Sequence, residues 1–318
     1  MNSRKKVVLL GGGTGLSTLL RGLKEFPLDI TAIVSVCDDG SSAGRLRKEF
    51  KTPAVGDIRR VLAALSETEP LFEQLLNYRF KTTSDLNGHT VGNLLLTAMS
   101  NITGNLSNGI ESLSKILNLK GRIIPLTEDD VVLMGKMEDG TIMEGEHHIT
   151  LSNKGIKDVY YKEIPIVNEE AINAIKEADL IILSMGSLFT SIIPNLLCKE
   201  IIKEIDKSKA KIMYVCNLMT QPGETDNFNV SHHVKLLNKY LGKRKIDTLI
   251  ANNGKIDSEL VKKYETLEQK DPVLLDNENL KELNLDIIED DFIAIENETI
   301  RHNVVIVAFY IFSLLLNK

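Results

Sequence analysis

The sequence predicts an α/β protein with a doubly wound, mainly parallel sheet and a small β-rich insertion. Short β-branched runs alternate with helical patterns along the 318 residues, which is typical of βαβ units. A glycine-rich turn joins the first run to a helix striped with leucine. Between Thr127 and Asn168 the alternation gives way to short stretches broken by turn residues. We therefore expect one domain over residues 1–318, with β-hairpins at 127–168 inserted in it, because about 40 residues rarely form a core alone.

Six apolar runs are the expected strands of the sheet, at 7–10, 30–37, 122–125, 180–184, 211–216 and 248–251. The first crossover helix follows the turn directly, since Leu16, Leu19, Leu20 and Leu23 recur at helical spacing. The acidic, Asn-rich segment 276–291 predicts a surface connection and an edge strand. The thirteen mostly apolar residues 304–316 predict a buried terminal helix, because a membrane span needs about 20.

Composition and charge exclude several classes of protein. The 43% hydrophobic content is enough for a large core, and the formal charge of −6 gives no general attraction for nucleic acid. Three cysteines without C-x-x-C spacing argue against a disulfide framework and a structural zinc site. The apolar run before the first glycine is only four residues long, Val7 to Leu10, so no secretory segment is expected. The expected location is the cytoplasm, with no membrane span.

The strongest local motif is the glycine-rich turn between the first strand and helix, formed by Gly11, Gly12, Gly13, Thr14 and Gly15. Glycines let backbone N–H groups approach a phosphate at a helix N-terminus. The turn is not a P-loop, and Leu16 occupies the third glycine position of a dinucleotide fingerprint. A nucleotide diphosphate is the favoured ligand; a tight turn without a ligand is the alternative.

Acidic and basic side chains follow the second strand, where doubly wound sheets bind ligands. Asp38 and Asp39 are candidate ligands for Mg²⁺, or one of them accepts a ribose hydroxyl. Arg45 is a candidate anion contact. The alternative is an Asx turn that caps the next helix.

Four further loops place polar residues before helices or after strands. The clusters at 53–60 and 87–94 could present helix N-termini to one ligand, with Asp57 or His89 as proton acceptor. The loops at 184–195 and 216–226 follow neighbouring strands and would form one crevice. The candidate ligand contacts in these loops are Asp57, His89, Asn93, Gly186, Ser187, Thr190 and Asn217.

The blocks 11–16, 38–47, 56–59, 186–195 and 216–226 together resemble the YvcK-type gluconeogenesis-factor family, sister to the CofD-type phospholactate transferases. The resemblance is collinear over nearly the whole chain. It implies a Rossmann-like, CofD-like fold, a cytoplasmic location and binding of a UDP-sugar such as UDP-N-acetylglucosamine. It also implies a role in cell shape and envelope homeostasis during gluconeogenic growth.

The resemblance further implies that Tyr264 and Arg301 contact the nucleotide. Tyr264 lies in a helical stretch and could stack on uracil, while Arg301 precedes the terminal helix and could pair with phosphate. The residues alone would have assigned both to structural roles.

Three functions remain open from the sequence. The first is a UDP-sugar-binding regulator without turnover, with protein partners in envelope synthesis and a homodimeric state. The second is a CofD-type transferase acting on a deazaflavin acceptor, with Mg²⁺ held by Asp38 and Asp39 and with His89 in catalysis. The third is a nicotinamide-dependent oxidoreductase, which Leu16 disfavours.

Overall fold

The computed structural model describes residues 4–67, 70–152 and 154–316. Twelve strands are formed in this part of the chain, in the order β1 Lys5–Gly11, β2 Leu28–Val34, β3 Arg122–Pro125, β4 Leu133–Met137, β5 Ile142–Glu144, β6 Ile156–Tyr161, β7 Leu180–Leu183, β8 Lys211–Val215, β9 Thr248–Asn252, β10 Asp286–Asp290, β11 Ile293–Glu296 and β12 Thr299–His302. The ends of the predicted domain, at 1 and 318, lie outside the described residues.

Fourteen α-helices connect and cover the strands in the same part of the chain. They are α1 Gly13–Leu23, α2 Ser41–Phe50, α3 Gly56–Leu65, α4 Pro70–Asn77, α5 Val91–Thr103, α6 Leu106–Ile116, α7 Glu146–Leu151, α8 Glu169–Glu177, α9 Ile193–Leu196, α10 Lys199–Lys207, α11 Val230–Tyr240, α12 Ser258–Glu268, α13 Asn277–Lys281 and α14 Val304–Leu316. One turn of π-helix, Leu188–Ile192, precedes α9.

The central sheet has seven strands in the order β10-β9-β8-β7-β1-β2-β3. Every neighbouring pair is parallel, with Val7 of β1 opposite Ile30 on one side and Leu180 on the other. The chain extends the sheet from β1 toward β3 and later from β7 toward β10. The strand order therefore reverses between β1 and β7, which confirms the doubly wound, Rossmann-like fold and creates a crevice at that point.

All six predicted strands belong to this sheet, and β10 confirms the edge strand expected in 276–291. The second strand is shorter than predicted. It ends at Val34. The last hydrogen bond between β2 and β1 is the one that the N–H of Ser35 donates to the carbonyl of Gly11, the final residue of β1. The apolar residues Val36 and Cys37 beyond it are buried in the core without a strand partner.

The segment 127–168 contains a three-stranded antiparallel sheet in the order β5-β4-β6, with α7 between β5 and β6. Two of its contacts with the rest of the domain lie near the site: the Tyr161 hydroxyl donates to the carbonyl of Pro194 in α9 over 3.1 Å, and the backbone N–H of His147 donates to Asp39 Oδ1 over 2.8 Å. These contacts place α7 beside the loop that follows β2.

The terminal helix α14 is buried on one face only, which corrects the prediction of a buried helix. Val307, Ala308 and Ile311 are buried, whereas Val305 is 60% and Phe309 56% exposed. The buried face packs on α1, where all four leucines of the predicted stripe are buried. Among the described residues, no helix combines the length and apolarity needed to cross a bilayer.

Candidate functional site

A cavity of about 950 Å³ opens at the carboxyl ends of the central strands, a volume in the range of small-molecule sites. It lies where the strand order reverses. The loops after β2, β1, β7 and β8 line it in that spatial order, and α7 and the β11–β12 hairpin close its two ends. The β2 and β8 ends are three strand spacings apart, about 14 Å.

The glycine turn lies against the loop after β7 at the centre of the cavity. A Cβ on Gly15 would stand 1.6 Å from the carbonyl oxygen of Met185, so the two backbones can approach only because residue 15 is glycine. Gly13 has φ of +61°, in the left-handed region that favours glycine. The turn therefore joins the two halves of the sheet at the crevice.

Asp57 at the start of α3 binds the glycine turn directly. Its carboxylate accepts the N–H of Gly13, and its Oδ1 accepts Arg60 Nη1 over 2.7 Å. Burial raises the pKa of Asp57 to about 6 against the effect of Arg60. A helix N-terminus attracts anions, and here the chain itself supplies one. The N–H of Gly13 is thus already bonded within the protein, and phosphate binding at the glycine turn stays a prediction.

Two further carboxylates reach the cavity at the β2 end. Asp38 lines it, with Oδ1 accepting the N–H of Gly40 over 3.0 Å. Glu146 on α7 lines it too, and its Oε1 accepts Thr150 Oγ1 over 3.1 Å. The pKa of Glu146 is raised to about 7, mainly by burial and to a smaller extent by the negative charges of Asp38 and Asp57. Sequence reasoning missed Glu146 because it lies in the insertion, outside any strand-to-helix motif.

The loop after β7 is held by side chains of the loop after β8. Asn217 exchanges two hydrogen bonds with the backbone of Gly186, at 2.9 and 2.8 Å. Glu224 is buried, and its Oε1 accepts Ser187 Oγ over 2.6 Å and the N–H of Phe189 over 2.7 Å. Burial raises the pKa of Glu224 to about 7. Asn217 therefore positions Gly186 at the cavity wall, and Glu224 does the same for Ser187.

Tyr264, Arg301 and His302 meet at the β8 end. The Tyr264 hydroxyl accepts the N–H of Ile300 over 2.9 Å, which joins α12 to β12. Burial lowers the pKa of His302 to about 4, so the ring is neutral at pH 7 and its Nε2–H donates to the Cys216 carbonyl over 2.9 Å. The exposed guanidinium of Arg301 lines the cavity, and within residues 4–67, 70–152 and 154–316 it has no hydrogen-bonding or ionic partner.

Twelve of the seventeen residues expected to bind ligand line the cavity, and Arg60 joins them without having been predicted. The predicted residues on the lining are Gly12, Gly13, Thr14, Gly15, Asp38, Asp57, Gly186, Ser187, Thr190, Asn217, Tyr264 and Arg301. The signal for Arg60 was present, since it lies one helical turn after Asp57.

Two predicted residues lie just outside the lining because the protein already uses them. Gly11 is inside β1, where a Cβ would stand 2.1 Å from Ser184 Oγ. Asp39 accepts the N–H of His147 and so anchors the insertion. No group of three or more His, Cys, Asp or Glu in the described part of the chain could hold a metal ion. Asp38 lines the cavity and Asp39 is bonded to the N–H of His147, and the Mg²⁺ site expected at this pair stays a prediction.

Three other predicted residues form a separate polar cluster between α2 and α5. Arg45 donates to the carbonyls of Asp85 and Asn87. His89 Nδ1 is 3.0 Å from Ser42 Oγ, to which Asn93 also donates. These residues fix the start of α5 against α2 and do not line the cavity.

The raised pKa of Glu224 predicts a pH-dependent stability difference. Its pKa rises from 4.5 to about 7 on folding, so the folded state binds more protons than the unfolded chain in that interval. The stability that Glu224 contributes therefore falls as the pH rises from about 4.5 to 7 and stays low above it. Glu224→Gln keeps an acceptor for Ser187 and Phe189 but has no charge to bury.

We expect the difference in melting temperature, Glu224→Gln minus wild type, to increase by several degrees from pH 5 to pH 8 in calorimetric scans. Glu282→Gln, at an exposed carboxylate, controls for the loss of an acid and should show a flat difference. If the melting-temperature difference for Glu224→Gln is also independent of pH, ionisation of Glu224 does not destabilise the folded state.

Comparison with known proteins gives consistent matches. A family model described as "2-phospho-L-lactate transferase CofD" matches residues 7–293. The gluconeogenesis factor of Bacillus subtilis (strain 168) is 48% identical over 316 residues, 99% of this chain and 99% of the relative. The gluconeogenesis factor of Halalkalibacterium halodurans is 45% identical over 302 residues, 94% of this chain and 93% of the relative.

A solved structure supports the same assignment. The X-ray structure of protein BH3568 from Bacillus halodurans has a TM-score of 0.94 with this fold at 44% identity, over 98% of this chain and 100% of that one. A second crystal structure of the same protein, described as a member of the UPF0052 family, has a TM-score of 0.93. Since the family model covers most of the sequence and the relatives match nearly all of it, this chain belongs to the CofD/YvcK family.

Proposed function

We propose that the cavity binds a UDP-sugar, such as UDP-N-acetylglucosamine, and that the protein is a gluconeogenesis factor that regulates cell shape and envelope homeostasis without turnover. The observation that carries the proposal is that the guanidinium of Arg301, at the β8 end of the cavity, has no partner among the residues that the structure describes. A free Arg suits bidentate binding of phosphate oxygens. The names of the relatives support the role in gluconeogenic growth.

The arrangement around Arg301 supports a nucleotide at this end. Tyr264 lines the cavity from α12 with its ring in a small apolar cluster that includes Leu218 and Ile300. An aromatic ring on the cavity lining is the kind of side chain on which a uracil base would stack. His302 is neutral, and because its Nε2–H is committed to Cys216, its Nδ1 remains a hydrogen-bond acceptor.

The rest of the proposal concerns what the bound state does. We place the protein in the cytoplasm, with protein partners in envelope synthesis that read the occupied cavity and with a homodimer as its assembly. The three buried, free cysteine thiols are consistent with a reducing compartment.

Isothermal calorimetry with UDP-N-acetylglucosamine, UDP and GDP, each with and without Mg²⁺, tests the proposal. We expect saturable heat with the uridine ligands. In a parallel melting experiment, a ligand at 100 times its Kd should stabilise the protein by about 2.7 kcal/mol. No heat with either uridine ligand up to millimolar concentration would remove the proposal.

The second candidate is a CofD-type transferase that moves a phospholactate group to a deazaflavin acceptor. The description of the matching family model favours it. Asp38 on the cavity lining would supply a carboxylate for Mg²⁺, which proteins commonly hold with one or two carboxylates and substrate phosphates. A reconstituted transfer assay with deazaflavin acceptor, activated phospholactate and Mg²⁺ decides it, and product formation would replace the regulator proposal.

A further inference from the structure

The β2 end of the cavity has a wall whose side chains accept hydrogen bonds and carry negative charge. We call it the acceptor wall and define it as Asp38, Asp57, Glu146 and Thr190, all on the cavity lining. It comes from four parts of the fold: the loop after β2, the start of α3, α7 of the insertion and the π-helix. The nearby cation on the same lining, Arg60, is already paired with Asp57.

The hydroxyl of Thr190 can only accept a hydrogen bond from a ligand, because its single proton is already used within the protein. Glu224 Oε1 receives the single hydroxyl proton of Ser187 over 2.6 Å. The single hydroxyl proton of Thr190 can go to Ser187 Oγ over 2.6 Å or to the carboxylate of Glu146, and both acceptors belong to the protein. Ser187 Oγ also accepts the N–H of Thr190 over 2.9 Å. Thr190, which is 5% exposed, has therefore only lone pairs left for a ligand.

The opposite end of the cavity offers a cation. Arg301 lines it there, with no hydrogen-bonding or ionic partner for its guanidinium in the described part of the chain, and the strand ends of β2 and β8 that bound the cavity are about 14 Å apart. An elongated ligand with one anionic and one hydroxyl-bearing end can satisfy both ends in one orientation only, because an anion at the acceptor wall would meet three carboxylates.

We infer that the acceptor wall receives the uncharged, hydroxyl-bearing sugar of the ligand and that it discriminates against sugars that carry a carboxylate. The inference rests on the proposed UDP-sugar binding and adds the class of sugar. Neutral sugar hydroxyls donate to carboxylates and to Thr190, whereas a uronate brings like charge to the same wall.

The test compares two ligands that differ only at C6 of the sugar, UDP-glucose with a hydroxymethyl group and UDP-glucuronate with a carboxylate. Their Kd values and that of UDP are measured by calorimetry at pH 8 and 150 mM salt, with EDTA so that no divalent cation neutralises the wall. We expect UDP-glucuronate to bind at least about tenfold more weakly than UDP-glucose.

Glu146→Gln assigns the discrimination to the wall, because it removes one carboxylate and keeps nearly the same shape. We expect the ratio of the two Kd values to fall about threefold or more. Glu144→Gln is the matched control: it removes an exposed carboxylate of the same insertion that does not line the cavity, and it should leave the ratio unchanged.

The outcomes separate this inference from the proposed function. If UDP, UDP-glucose and UDP-glucuronate all fail to bind, the proposed function is wrong. If they bind and UDP-glucuronate matches UDP-glucose, the inference is wrong and the proposed function stands. The inference is also wrong, and the proposed function stands, if Glu146→Gln and Glu144→Gln change the ratio of the two Kd values equally.

Discussion

Gly15→Ala is expected to destabilise the protein by more than about 3 kcal/mol, the upper range for overpacking a tight site. The added methyl would stand 1.6 Å from the carbonyl oxygen of Met185 and 2.9 Å from the Cα of Gly186. Both neighbours are backbone atoms, so no side-chain rotation relieves the clash. The turn after β1 and the loop after β7 must separate, which opens the sheet where its two halves meet.

The measurement is the melting temperature of the purified variant beside the wild type. At roughly 2–4 °C per kcal/mol for large domains, we expect a fall of at least about 6 °C, or no folded product. Gly40→Ala is the matched control. Its methyl would meet only side-chain atoms of Asp38 and His147, at 3.3 Å each, and its backbone φ is −83°. A Gly15→Ala variant as stable as Gly40→Ala would contradict the close approach of the two loops.

Arg301→Ala is expected to weaken UDP-N-acetylglucosamine binding by about 10- to 100-fold. A hydrogen bond to a charged group contributes about 1.5–3 kcal/mol, and each 1.4 kcal/mol is a factor of ten in Kd. The guanidinium is exposed and, among the described residues, unpartnered, so its removal should leave the melting temperature of the ligand-free protein nearly unchanged. The loss should therefore appear in binding alone.

Calorimetry on Arg301→Ala, Arg301→Lys and Arg122→Ala measures this effect. Lysine keeps the charge without the planar fork and should recover part of the affinity. Arg122 is an exposed arginine on β3 that pairs with Glu170, does not line the cavity and should not affect binding. Wild-type affinity in Arg301→Ala would show that the phosphates lie elsewhere.

Local pattern was sufficient to predict the secondary structure that builds the site. The leucine stripe of α1, the β-branched strands and the glycine turn are set by residues close in the chain, whose periodicity and backbone freedom appear directly in the sequence. The same holds for the polar loops after β7 and β8, because parallel strands bring their carboxyl ends to one edge. These features alone place most of the cavity lining.

Tertiary structure decided how that lining is charged. Folding brings the carboxylate of Asp57 to the N–H of Gly13 in the glycine turn, and the inserted α7 adds Glu146 from far along the chain. In the packed structure, Asp39 is hydrogen-bonded to the N–H of His147 and His89 to the hydroxyl of Ser42. The sequence determined the strands, the turn and the edge at which ligands bind; which side chains face the cavity depends on contacts between distant segments, and those exist only once the sheet and the insertion have packed.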